Sequence, residues 1–145
     1  MTPWVRSLLT ANVVMFFATA TFPDLFRALV LFPPLILLRP WTIVTYMFLH
    51  AGLGHLFFNM IGLFFFGSRL EARLGSRRFL ALYLVSGLVG AVASLIFSPD
   101  AAVVGASGAI FGVMLGYARY WPRDLVLIWG VFPVQARWLV IGTTV

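Results

Sequence analysis

Ser107, His55 and Asn59 are the residues whose types and spacing could do chemistry. Ser107 sits in Gly105-Ala106-Ser107-Gly108 at the head of an apolar run. A Ser at a helix start presents its hydroxyl beside backbone N–H groups that have no intrahelical acceptor, and the positive end of the helix dipole favours an anion there. His55 and Asn59 are four residues apart and so share one helical face. Their N–H donors could hold a developing oxyanion, an arrangement worth about 2.7 to 4 kcal/mol per donor. This is the equipment of acyl transfer, short of one part: a Ser nucleophile needs a base.

The elements that must position these groups are membrane helices. The chain of 145 residues is 62% hydrophobic and 10% charged, with a mean hydropathy of +1.03, against about 25% charged residues in an average soluble domain. A soluble domain of this size leaves about a third of its chain surface in water. Ten basic and four acidic side chains cannot coat that surface, so the solvent for most of the chain is lipid. Every basic residue is Arg, and the acids are Asp24, Glu71, Asp100 and Asp124, for a net charge of +6. The arginines cluster in short connections between apolar runs, which signals membrane orientation rather than nucleic acid binding. The chain has no Cys, which excludes disulfides and thiolate chemistry, and with His50 and His55 as its imidazoles neither a metal site nor a cofactor is expected.

Charge-free windows cover residues 7–23, 40–68, 79–99 and 101–118. Each approaches the roughly 17 to 25 residues that a crossing helix needs, predicting four complete spans. The second helix is expected from near Leu53 to near Leu70, because Pro40, Gly52 and Gly54 disfavour an earlier start. Residues 22–52 form an apolar connection broken by Pro23, Pro33, Pro34 and Pro40, expected to lie in the membrane interface. After Asp124 the chain turns apolar again, interrupted by Gly130, Pro133 and Arg137, and it reaches Val145 within what reads as a fifth span. We read the sequence as a fragment. A signal peptide over the first run is the competing reading, since Ala18-Thr19-Ala20 has the form of a cleavage site; Asn12 within the run suits a packed span better.

Arg6, Arg69, Arg73, Arg77, Arg78, Arg119 and Arg123 fall on the side of the N-terminus, and Arg27 and Arg39 on the other. The excess of Arg places the N-terminus in the cytoplasm. His55, Asn59 and Ser107 then share one depth, in the outer leaflet. Alone, Ser107 would be a helix cap and His55 or Asn59 an interhelical hydrogen bond; together they favour a site, because intramembrane polar groups are costly. Gly108, Gly112 and Gly116 recur every four residues, a stripe that lets another helix approach beside Ser107.

The blocks His50-Ala-Gly-Leu-Gly-His55-Leu-Phe-Phe-Asn59, Gly67 with Glu71-Ala-Arg73-Leu-Gly75-Ser76, and Gly105-Ala-Ser107-Gly108-Ala-Ile-Phe-Gly112 resemble the rhomboid intramembrane serine proteases, in that order and from about Arg39 onward. The resemblance implies an all-α, polytopic membrane bundle, with residues 1–145 as one membrane domain carrying four complete spans and the start of a fifth. It implies Ser107 as nucleophile and an oxyanion hole from His55, Asn59 and the Ser107 backbone N–H. His50 becomes a loop residue rather than the base, and Glu71 and Arg73 a chiefly structural pair. Trp41 matches the Trp of a Trp-Arg motif, with Thr42 where the Arg would be.

In that family the general base is a His on a sixth helix, packed against the glycine stripe, and this chain has no third His. The expectation is therefore a serine endopeptidase that cleaves transmembrane proteins in the bilayer of, by its short N-terminus, a bacterial inner membrane. The 145 residues alone are expected to be inactive, with an exposed glycine face. A non-catalytic rhomboid-like protein that binds transmembrane helices is the alternative, followed by a channel or transporter subunit, for which the chain lacks intramembrane ion carriers.

Overall fold

A computed structural model describes residues 1–128 and 132–144. Helix α1 runs Pro3–Thr21, with Pro3 in the first turn, where its missing N–H is harmless. The proline-rich connection then folds as short pieces: α2 over Pro23–Leu29, a 3-10 turn at Pro33–Leu35, α3 over Thr42–Thr45 and a second 3-10 turn at Tyr46–Phe48. Helix α4 (Leu53–Gly62) continues through a π-helical turn at Leu63–Gly67 into α5 (Ser68–Leu74), which Gly75 ends at φ 85°. Helix α6 follows over Ser76–Phe97 and α7 over Ser107–Tyr120.

The structure revises two expectations about the spans. Two helical segments, Leu53–Leu74 and Ser76–Phe97, are long and apolar enough to cross a membrane by length and composition. The 14 residues of α7 rise only about 21 Å, short of a hydrocarbon core of about 30 Å. The reason is that residues 101–106, apolar enough to read as helix, form an irregular segment. The Val103 N–H donates to the Leu31 carbonyl at 2.8 Å and the Gly105 N–H to the Tyr46 carbonyl at 2.9 Å. Irregular backbone is tolerated at membrane depth where protein groups satisfy it in this way.

The second revision lies after Asp124. There the apolar run is an antiparallel hairpin, β1 (Leu125–Ile128) against β2 (Phe132–Gln135), with Val126 opposite Val134. Pro133 is tolerated in such an edge strand. Helix α8, Ala136–Thr144, stands where the start of a fifth span was expected, beginning later than the apolar run does; Gly130 and Val145 lie outside the described residues.

The core gathers Val5, Leu63, Leu70, Phe79, Tyr83 and Val113, while Val85, Val89, Val92 and Ile96 of α6 face outward, as lipid solvent requires. The glycine stripe of α7 packs against α6, with Leu70 of α5 beside Gly116, and is partly covered where an exposed face was expected. A β-carbon on Gly108 would come within 3.5 Å of the Gly90 Cα, one on Gly112 would overlap Ser86, and one on Gly116 would meet Leu70 and Leu82. Small residues on both helices let the backbones approach this closely.

Glu71 ties the start of α1 to the turn between α5 and α6. Only 2% exposed, its carboxylate accepts the Trp4 and Val5 N–H groups at 3.0 Å each and the Ser76 hydroxyl at 2.7 Å. It satisfies orphan amides of α1 and places a negative charge at that helix's positive end. Arg73 instead stacks over Tyr120, 5.2 Å from the ring centroid.

Candidate active site

The site is built on the connection between α1 and α4. Three side chains of residues 39–45 capture three consecutive carbonyls at the end of α2. Arg39 Nη1 donates to Arg27 O at 2.6 Å, Trp41 Nε1 to Ala28 O at 2.8 Å and Thr45 Oγ1 to Leu29 O at 2.8 Å. Thr42 is buried, and its hydroxyl donates to the Arg39 carbonyl at 2.7 Å. Arg39 thus places a guanidinium at a helix C-terminus, where a cation is favoured.

The same connection holds the segment before Ser107. Leu31 and Val103 exchange backbone hydrogen bonds as an isolated antiparallel bridge. Tyr46 receives the Gly105 N–H on its carbonyl and donates its own hydroxyl to Gly87 O of α6 at 2.6 Å. Ser107 then opens α7 with its side chain exposed.

Gly105 adopts φ 118°, a conformation that residues with a β-carbon rarely take. A β-carbon there would stand 2.7 Å from His55 Cε1, 2.8 Å from His55 Nε2 and 3.8 Å from Ser107 Oγ. The imidazole and the hydroxyl therefore converge on the face that glycine leaves open. The Ala51 N–H points at His55 Nδ1 over 3.4 Å, which makes Nδ1 the acceptor and puts the ring proton on Nε2, the nitrogen that faces Gly105.

Asn59 is buried, and its amide donates to the His55 carbonyl one turn back at 2.9 Å. An amide has two N–H donors, so one is fixed and the other is available to a ligand. His50 lies in the loop before α4, as expected, with its ring centroid 5.0 Å from that of His55. Burial, and after it the positive charge that His55 can carry, push His50 down to about 4. A base with so low a pKa is a poor acceptor for a Ser proton at neutral pH.

Of the residues singled out in the sequence, Ser107 and His55 meet at Gly105, and Asn59 lies one turn from His55 on the same face. Sequence reasoning missed Gly105, Ala51, Tyr46 and Arg39 as parts of this arrangement. Gly105 stood two residues before Ser107 and could have been flagged; the others act through carbonyls and amides that any residue type supplies, or through a long reach.

A family profile described as the Rhomboid domain matches residues 38–145. The chain is 46% identical over 74 residues to Rhomboid protease GluP of Bacillus subtilis (strain 168), covering 51% of this chain and 14% of that protein. It is 47% identical over 73 residues to RHOMBOID-like protein 2 of Arabidopsis thaliana, covering 50% and 23%. It is 38% identical over 89 residues to Rhomboid-like protease 3 of Toxoplasma gondii, covering 61% and 32%. The chain spans well under half the length of these relatives.

Proposed function

The chain belongs to the rhomboid family, and on that premise we propose that the complete protein is an intramembrane serine endopeptidase acting on transmembrane proteins. The observation that carries the reading is the convergence of Ser107 Oγ and His55 Nε2 on the bare face of Gly105. Ser107 Oγ attacks the scissile carbonyl carbon as its proton passes to a base. The resulting oxyanion is held by His55 Nε2–H, the free Asn59 N–H and the Ser107 backbone N–H. Collapse expels the amine, which takes that proton from the base; water then gives a proton to the base, attacks the acyl carbon, and leaves Ser107 Oγ to be reprotonated as the acid departs. Preorganised donors of this kind each supply about 2.7 to 4 kcal/mol.

Neither His50, buried and neutral, nor His55, turned donor-first to the site, serves as base in this scheme. A groove of about 290 Å³ between α6 and α7, lined by Ser86, Gly90, Gly108 and Gly112, adjoins Ser107. It leaves room for the side chain of a further helix that carries the imidazole, as the family resemblance implies. By the Arg distribution the N-terminus is cytoplasmic and the site opens toward the outer leaflet, where water is at hand for deacylation; a bacterial inner membrane is the setting we favour. No cofactor or metal enters the scheme.

The test is cleavage of a transmembrane reporter by the full-length protein. Activity lost in both Ser107→Ala and Asn59→Ala supports the assignment. Continued proteolysis in Ser107→Ala removes it, and a full-length protein that binds but never cuts transmembrane helices favours the non-catalytic alternative. Residues 1–145 alone should not cleave, and co-expression of the helices that follow should partly restore activity.

A further inference from the structure

We propose that His50 is a positioning residue that keeps the His55 ring seated with its Nε2–H toward Ser107, an inference that rests on the protease reading above. His50 is 3% exposed, and among the described residues neither ring nitrogen makes a hydrogen bond of good geometry, the Phe48 backbone being the one polar group that bears on the ring. Burying an unpartnered polar group costs about 1 to 3 kcal/mol. A loop that keeps such a residue next to the site calls for a physical reason.

The contact with His55 supplies it. The two rings meet edge to face, with centroids 5.0 Å apart and planes at 66°, a geometry that aromatic quadrupoles favour. His55 has three restraints in all. Gly105 lies against its Cε1–Nε2 edge, the Ala51 N–H faces Nδ1 and His50 stands on the ring itself. The Ala51 hydrogen bond, at 3.4 Å, is too long to fix the ring alone, and rotation about the bond to an imidazole ring is soft. Without a wall, the ring can turn away from the Ala51 N–H, and once that contact is lost nothing holds the proton on Nε2 while the two tautomers exchange through solvent.

The wall is also uncharged, so it does not draw water or a counter-ion into the contact. Burial is the cause, since it holds His50 neutral down to about pH 4. One short stretch, 50–55, thus carries the donor, the amide that sets its tautomer and the ring that stops it turning.

The tautomer of His55 is directly readable by long-range proton–nitrogen NMR of the full-length protein labelled with 15N-histidine in nanodiscs, with His55→Gln assigning the signals. The proposal expects His55 as a single Nε2-protonated tautomer in the native protein and in His50→Phe, which keeps an aromatic wall. It expects the averaged nitrogen shifts of a freely exchanging ring in His50→Ala and in His50→Leu, the latter guarding against collapse of the emptied site. In the cleavage assay both apolar variants should lose about 10-fold or more in kcat with KM little changed, and His50→Phe should recover it.

A native His55 tautomer in folded His50→Ala or His50→Leu overturns the proposal. The NMR result does not depend on activity, so an inactive protein with the expected tautomers counts against the protease reading and leaves the positioning role standing.

Discussion

The His55 imidazole occupies the space that a side chain on Gly105 would need: a β-carbon on Gly105 would lie 2.8 Å from His55 Nε2. Gly105→Ala should therefore push the ring off the site and strain a backbone at φ 118°. Displacement of that size commonly costs about 100-fold in rate, and the strain about 1 to 3 kcal/mol of stability. Cleavage by the full-length variant and its thermal unfolding in detergent measure the two effects separately.

Glu71 is expected to matter more to stability than its neighbour in the motif. Glu71→Gln removes the charge at the start of α1 and at least one of the three hydrogen bonds to Trp4, Val5 and Ser76, a loss of about 2 to 3 kcal/mol. Arg73→Gln loses only a cation–π contact with Tyr120 on an exposed side chain, worth about 0.5 to 1 kcal/mol. Unfolding of the two variants side by side checks the order.

Arg39→Ala should free the end of α2, at a cost of about 1 to 2 kcal/mol, and raise amide exchange at Val30 and Leu31. Adding Thr42→Arg should not restore protection, even though it recreates a Trp-Arg pair. Position 42 is 1% exposed and has no room for a guanidinium. Recovery in the double variant would show that position 42 does accept a guanidinium.

Stability should fall on acidification through His50. In the unfolded chain this imidazole takes a proton near its ordinary pKa of 6.5, whereas in the fold it resists until about 4. The unfolded state therefore binds more protons between those values. The neutral His50 contribution is complete above about pH 6.5 and is lost progressively as pH falls toward 4, to roughly 3 kcal/mol. Unfolding midpoints from pH 7 to pH 4 should show this slope in the native protein and a shallower one in His50→Phe.

Much of the architecture was legible because lipid leaves a compositional trace. The runs that became α1, α4 to α5 and α6 are free of charge near their centres, and the four-residue spacing of His55 and Asn59 placed both on one face. The short α7 was not legible. Residues 101–106 are as apolar as a helix there would be, and what holds them irregular are the Leu31 and Tyr46 carbonyls, distant in sequence. The hairpin after Asp124 escaped for a related reason, since a four-residue apolar strand and one turn of buried helix share a pattern. Arg39 was invisible as an anchor because side-chain reach, not sequence position, brings it to Arg27 O.

The central claim is that Ser107 is the nucleophile, and covalent labelling tests it most directly. The full-length protein in detergent, treated with a fluorophosphonate and mapped by mass spectrometry, should carry the adduct on Ser107, with labelling abolished in Ser107→Ala and strongly reduced in His55→Ala. An adduct on another residue, or undiminished labelling of Ser107→Ala, would contradict the account.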